Sequence, residues 1–356
     1  MRAVLRALTA ATLAVSLWML PSAASLAAGA GKQKVASPAV KSTPSIRAGS
    51  DLRKVARMKS SARSVKRTSI RRIERSEPPQ LSMGQLAGLH AADDALDLKS
   101  SVALVVDQDT DEVLFSKNSS AVLPIASITK LMTALVVTEA GLPLDEVLTV
   151  TSEDAAVRAG SSRQLRAGDQ LTRGEMLHLA LMASENRAAY LLGRTYPGGM
   201  SDFVAAMNAK AKLLGMHDTR YVEPTGLSSD NRSSAQDLAL LVRAASQHPL
   251  LRELSTSPET VLPVGRRQVQ FRNTNGLVRD PEWDIGLQKT GYIAAAGRCL
   301  VMQTQLAGRQ LIMVLLDSAG KYSRIGDAER IRKWLVAQNL AAVLPTLGAT
   351  RVTQPR

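Results

Sequence analysis

Three short polar motifs carry the possible chemistry of this 356-residue chain: Ser127-Ile128-Thr129-Lys130, Ser184-Glu185-Asn186 and Lys289-Thr290-Gly291. The first opens an apolar, helix-period run at 128–137. Residues three apart on a helix share a face, with β-carbons roughly 5–6 Å apart, so the Ser127 hydroxyl and the Lys130 amine can touch. A serine touching an amine is a candidate activated nucleophile. Ser184 ends a strongly apolar helical run, 175–183, that starts with the capping box Thr172-x-x-Glu175. A polar triplet at the end of a buried helix is placed rather than merely solvated.

Short patterns also arise by chance, and the chain holds decoys. Ser318-Ala319-Gly320-Lys321 repeats Ser-x-x-Lys, but it follows a strand-like run at 311–316, carries a glycine and opens no apolar helix; it reads as a loop. Ser116-Lys117-Asn118 and Ser229-Asp230-Asn231 repeat Ser-x-Asn. The latter sits in the polar stretch 228–234, just ahead of Ser233-x-x-Gln236, and reads as a turn leading into a helix cap.

Strands are expected at 102–106 and 113–115, joined as a hairpin through a polar turn. Helical signals fill the middle: the Ser127 helix, 172–183, 186–195, 201–214 closed by Gly215, and 233–246 stopped near Pro249. β-like stretches follow at 259–271, 284–289, 298–306 and 310–316, then a last helix at 327–338 with Ile331, Trp334 and Leu335 as its core stripe. Strands at both ends with helices between imply an α+β fold, in which an antiparallel sheet of N- and C-terminal strands is flanked by helices around a helical middle region. Such a fold brings Lys289 near Ser127.

Composition sets the surroundings. At 45% hydrophobic and only 3% aromatic residues, the core must be aliphatic. Arg2, Arg6, an apolar stretch at 7–20 and small residues ending in Ala28-Gly29-Ala30 read as a secretory signal peptide, 1–30. No later run approaches roughly 18 apolar residues, so an exported protein without a membrane span is expected, periplasmic and soluble or peripherally attached to the envelope. The lone Cys299 forms no intrachain disulfide and reads as a buried strand residue. The four histidines lack ligand spacing, so neither a metal site nor a Ser-His-Asp triad has local support.

The net charge of +14 belongs mostly to one segment. Residues 31–80 hold 14 Lys and Arg against 3 Asp and Glu, and close with Pro78-Pro79. They read as a disordered or partly helical linker, either a solvated spacer or an electrostatic tether to an anionic envelope surface. The segment has no aromatic residue, which argues against nucleic-acid binding. A catalytic domain at 81–345 and a tail at 346–356 complete the expected organisation.

With its flanks, the ordered trio resembles the D-alanyl-D-alanine carboxypeptidase/endopeptidase family of penicillin-binding serine peptidases. The flanks are PIASITKLMTA at 124–134, LMASENRA at 181–188, FRNTN at 271–275, KTGY at 289–292 and AGRCL at 296–300. The likeness spans roughly residues 85–340 and is nearest to small members that lack the extra C-terminal β-domain and amphipathic anchor. It implies the serine β-lactamase/D,D-peptidase fold and no metal or organic cofactor. It implies Ser127 as nucleophile toward peptidoglycan stem peptides and cross-links, and Lys130 as its base, its pKa lowered by burial and by Lys289. Ser184 then passes a proton to the leaving amine, Asn186 holds the substrate backbone, and Lys289 with Thr290 binds the acceptor side. Gly291 permits close approach, and the backbone N–H groups of Ser127 and Tyr292 form the oxyanion site. β-Lactam antibiotics become covalent inhibitors.

Family likeness favours cleavage of D-alanyl-diaminopimelate cross-links over a free D-alanyl-D-alanine terminus. Rival readings are a class A-type β-lactamase and a non-catalytic wall-binding protein. The first points to Glu223, yet that family's loop carries asparagine four residues later, where this chain has Leu227.

Overall fold

The apolar runs at the two ends of the chain become one sheet. The computed structural model describes residues 80–157 and 164–347, with backbone alone for 340–347, all within the unit Glu74–Arg356. The expected signal peptide, the linker up to residue 79 and the tail from residue 348 lie outside the described residues.

A short helix α1 (Met83–Leu86) precedes the expected hairpin, β1 (Ser100–Asp107) and β2 (Val113–Lys117). The helical middle begins after β3 (Leu123–Pro124) with α2 (Thr129–Glu139), followed by β4 (Val147–Thr149), α3 (Ser152–Ala156) and β5 (Gln170–Thr172). It continues through α4 (Arg173–Met182), α5 (Asn186–Arg194), α6 (Gly199–Leu213), β6 (Arg232–Ser233), α7 (Ala235–Ser246) and α8 (Pro249–Thr256). A separate hairpin, β7 (Glu259–Val264) with β8 (Arg267–Arg272), leads to β9 (Asp284–Ile293), β10 (Gly297–Leu306), β11 (Arg309–Ser318) and the final helix α9 (Ser323–Leu347).

Five strands form the main sheet in the order β2-β1-β11-β10-β9. Its centre is the antiparallel meeting of the chain's two ends, with Val102 opposite Leu316 and Leu104 opposite Val314. Side chains alternate between faces along a strand. Val102, Leu104, Ile312 and Val314 join the larger core under the helical middle, whereas Ala103, Val105, Met313 and Leu315 join a second core under α9. There Ile331 and Leu335 pack, and Trp334 meets Phe115 edge-to-face. Buried Asp327 ties α9 to the sheet, accepting from Ser100 N at 2.7 Å and Lys99 N at 3.0 Å.

Some local expectations shift. Pro249 does not merely stop a helix. It occupies the first turn of α8, where its missing N–H costs nothing and its fixed φ suits a helix start. The cap of α7 is Ser234, which accepts from Asp237 N at 3.2 Å, rather than Ser233. Ser233 is engaged by β6 pairing with Leu123 and by a 2.7 Å contact with Thr219 Oγ1. The last helix runs to Leu347, two residues past the expected domain end. The capping box Thr172-x-x-Glu175 forms in both directions, at 2.7 and 3.1 Å. Cys299 is wholly buried on β10, where burial pushes its thiol up to about 12.

Candidate active site

Helix α2 is buried on every side from Thr129 to Val137, so it is a core helix rather than an amphipathic surface one. Its entry is a single 3-10 turn, Ala126–Ile128, and Ser127 sits in that turn rather than in the α-helix proper. Ala126 has φ of 48°, a left-handed conformation that costs a residue with a β-carbon about 1–2 kcal/mol. Such strain persists only where the surroundings over-determine it. Here Thr129 Oγ1 donates to Ala126 O at 2.8 Å, and Ile125 N donates to Asn231 O at 3.1 Å.

The loop behind Ser127 is tied just as tightly. The Glu223 carboxylate accepts from Thr225 N, Thr225 Oγ1 and Gly226 N, each at 2.6 Å, from Asn231 Nδ2 at 2.9 Å and from Ser228 N at 3.3 Å. Asn231, read from sequence as part of a turn, is fully buried and also donates to Thr129 Oγ1 at 3.1 Å. Glu223 is therefore committed to its own loop, which leaves the β-lactamase-type use of this residue without a free carboxylate oxygen. Gly226 has φ of 80°, and a β-carbon there would lie 1.9 Å from Ala126 O, so only glycine fits.

Lys130 is wholly buried, and its Nζ donates to Asn186 Oδ1 at 2.6 Å, to Thr225 O at 2.6 Å and to Ser127 Oγ at 2.9 Å. Burial pulls its pKa down to about 7, against upward pulls from Glu223 and Glu185. Burial is the largest cause of that depression. Lys289 is likewise held well below the usual lysine range, by burial first, then by Lys130 and Arg324.

Ser184 links the end of α4 to the start of α5 with φ of 57°, a second strained residue at the site. Its hydroxyl accepts from Lys289 Nζ at 2.9 Å. Lys289, Thr290, Gly291 and Tyr292 all lie in β9, the edge strand of the sheet, rather than past its end. A β-carbon on Gly291 would stand 3.0 Å from Ser127 N, which measures how closely the strand passes Ser127.

All eight expected site residues gather here. Ser127, Ser184, Asn186, Thr290, Gly291 and Tyr292 line a cleft of about 540 Å3, with Lys130 and Lys289 bonded to its two serines. The cleft also brings in residues that sequence reasoning did not single out. Thr274 meets Thr290 Oγ1 at 2.6 Å and Met182 O through its own N–H at 3.1 Å, fastening β9 to the end of α4. Arg324, from the first turn of α9, lines the cleft with its Nε and Nη1 buried and unpartnered. FRNTN was visible as a flank; nothing local in the α9 sequence marks Arg324. Among the described residues no group of three or more His, Cys, Asp and Glu is placed to hold a metal ion.

An antiparallel sheet whose edge strand faces a serine–lysine pair at the start of a buried helix is the architecture of penicillin-recognising serine enzymes. The crystal structure of a D-alanyl-D-alanine carboxypeptidase from Mycobacterium tuberculosis superposes with a TM-score of 0.62 at 27% identity, over 68% of this chain and 92% of that one. The D-alanyl-D-alanine endopeptidase of Pseudomonas aeruginosa is 48% identical over 262 residues, covering 73% of this chain and 84% of the relative. That of Escherichia coli is 47% identical over 241 residues, covering 67% and 78%. The family model described as D-alanyl-D-alanine carboxypeptidase matches residues 89–320, and the chain belongs to that family.

Proposed function

We infer that the protein is a serine D,D-peptidase that hydrolyses D-alanyl bonds of peptidoglycan through an acyl-enzyme on Ser127, acting as an endopeptidase on D-alanyl-diaminopimelate cross-links. The observation that carries this is the Lys130 amine. Two short hydrogen bonds to Asn186 and Thr225 fix two of its N–H groups, and the remaining valence points at Ser127 Oγ 2.9 Å away. With a pKa of about 7 the amine is neutral often enough for that valence to be a lone pair.

Ser127 Oγ then attacks the carbonyl carbon of the D-alanine and gives its proton to Lys130 Nζ. The oxyanion is held by the backbone N–H groups of Ser127 and Tyr292, as the close passage of Gly291 supports. As the carbon–nitrogen bond breaks, the proton that Lys130 took from Ser127 passes to the leaving amine through Ser184, whose hydroxyl is bonded to Lys289. Asn186 and the β9 edge orient the substrate backbone. Arg324, which lines the cleft, suits the carboxylate next to the scissile amine. Water then cleaves the ester, losing a proton to the neutral Lys130 amine, which returns it to the departing Ser127 Oγ. A β-lactam acylates the same serine and stays.

The endopeptidase preference is supported by the names of the relatives at 47% and 48% identity. Export to the periplasm is part of the same proposal; among the described residues no helix is long and apolar enough to cross a membrane. Cross-linked and monomeric wall fragments incubated with wild-type protein and with Ser127→Ala test the assignment. Dimers should fall to monomers with the wild type alone; loss of terminal D-alanine without loss of dimers refutes the endopeptidase role.

A further inference from the structure

A second cleft, of about 240 Å3, adjoins the catalytic one and is lined by Ser82, Gln85, Tyr292, Arg298, Asp317 and Lys321 among others. Tyr292 and Arg298 line both clefts, so the two share a wall. The Arg298 guanidinium lies 4.3 Å from the centre of the Tyr292 ring, which is 56% exposed. Stacking on an aromatic face holds a guanidinium flat and leaves its edge N–H groups free to donate. Lys321 Nζ lies 5.3 Å from the centre of the Tyr322 ring, which is 71% exposed.

Neither Arg298 nor Lys321 has an acidic partner within ion-pair distance among the described residues. The one carboxylate in the lining, Asp317, is 2% exposed, and its Oδ2 takes His90 Nε2 and Ser101 Oγ, each at 3.0 Å. Asp317 also has φ of 50°, and its Oδ1 presses on Gly297, where a β-carbon would stand 2.2 Å away. Its charge is thus turned inward. What the cleft offers a ligand is two unneutralised cations beside polar side chains, the complement of a carboxylate.

The endopeptidase reading, on which this inference rests, supplies such a ligand. A carboxypeptidase holds one D-alanine beyond the scissile bond, whereas an endopeptidase must hold a whole second stem peptide with the carboxylates of its acidic and diamino residues. We propose that the second cleft is a subsite for that acceptor-side stem peptide, with Arg298 and Lys321 taking one of its free carboxylates. Tyr292 then serves as the shoulder over which the peptide leaves the catalytic cleft, and the subsite separates cross-linked substrates from single stems.

Lys321 lies outside the catalytic cleft on an exposed loop, so Lys321→Glu reports on the subsite alone. It should raise KM for a cross-linked muropeptide dimer about fivefold to tenfold with kcat unchanged, an effect that shrinks in high salt as for any exposed charge pair. The rate of Ser127 acylation by benzylpenicillin should not change, and Lys321→Arg should keep the wild-type KM. Converting the dimer's acceptor-stem carboxylates to carboxamides should erase the difference between wild type and Lys321→Glu. Wild-type KM for the dimer in Lys321→Glu overturns the subsite and leaves the endopeptidase reading standing. Equal loss on dimer and penicillin also overturns it, because Lys321 then serves the catalytic cleft. Failure of the wild type to cleave dimers at all removes both.

Discussion

The proposed chemistry turns on an amine, Lys130, whose pKa is lowered by burial. Ser127 and Lys130 were legible together because their contact is local, three residues along one helix turn. What the spacing could not reveal is the cause of the amine's state, since the groups enclosing it, Asn186 and Thr225, are 56 and 95 residues away. For the same reason Glu223 looked like a candidate base for deacylation and proves to be a loop clamp. The ionisation makes a signed prediction. Below pH 7 Lys130 is mostly ammonium and cannot take the Ser127 proton, whereas above it the neutral form dominates. Penicillin acylation should therefore rise about tenfold per pH unit below neutrality and level off above it; stopped-flow measurement of the second-order rate against pH checks this. A rate that stays flat from pH 5 to 9 removes Lys130 as the base.

At the scale of elements, the periodicities placed the hairpin, the buried helix and the three C-terminal strands, because each buries a face whose repeat is written in the chain. Less legible were features decided by neighbours. Pro249 starts a helix because α8 packs where a terminus was expected, and Ser234 caps α7 because Ser233 is engaged elsewhere. The turn before α2 depends most on distant partners. Its left-handed Ala126 lies against Gly226, whose loop is bound by Glu223 and Asn231. Gly226→Ala should cost at least about 2–3 kcal/mol, through a non-glycine at positive φ and a clash with Ala126 O. It should also slow acylation by misplacing Ser127 N. Thermal unfolding and labelled-penicillin uptake report the two effects, and a variant with wild-type values for both shows that the turn tolerates what its geometry forbids.

The whole molecule joins residues that the sequence keeps far apart. The order of strands around a helical middle was enough to expect Lys289 near Ser127, and the β9 edge delivers it. The arrival of Arg324 in the same cleft depends on how α9 crosses the sheet, which no local pattern encodes. Charge is concentrated along the sequence instead: most of the +14 lies in residues 31–80. Deleting 31–79 should leave penicillin acylation intact while releasing the protein from anionic vesicles or isolated cell walls in a sedimentation assay; undiminished sedimentation means the segment is only a spacer.

The identity of the nucleophile can be measured directly by treating the protein with benzylpenicillin, digesting it and locating the adduct by mass spectrometry. The expected result is one long-lived penicilloyl group on the peptide bearing Ser127 and none in Ser127→Ala. An adduct on another residue, an adduct that survives in Ser127→Ala, or rapid penicillin turnover with no adduct contradicts it.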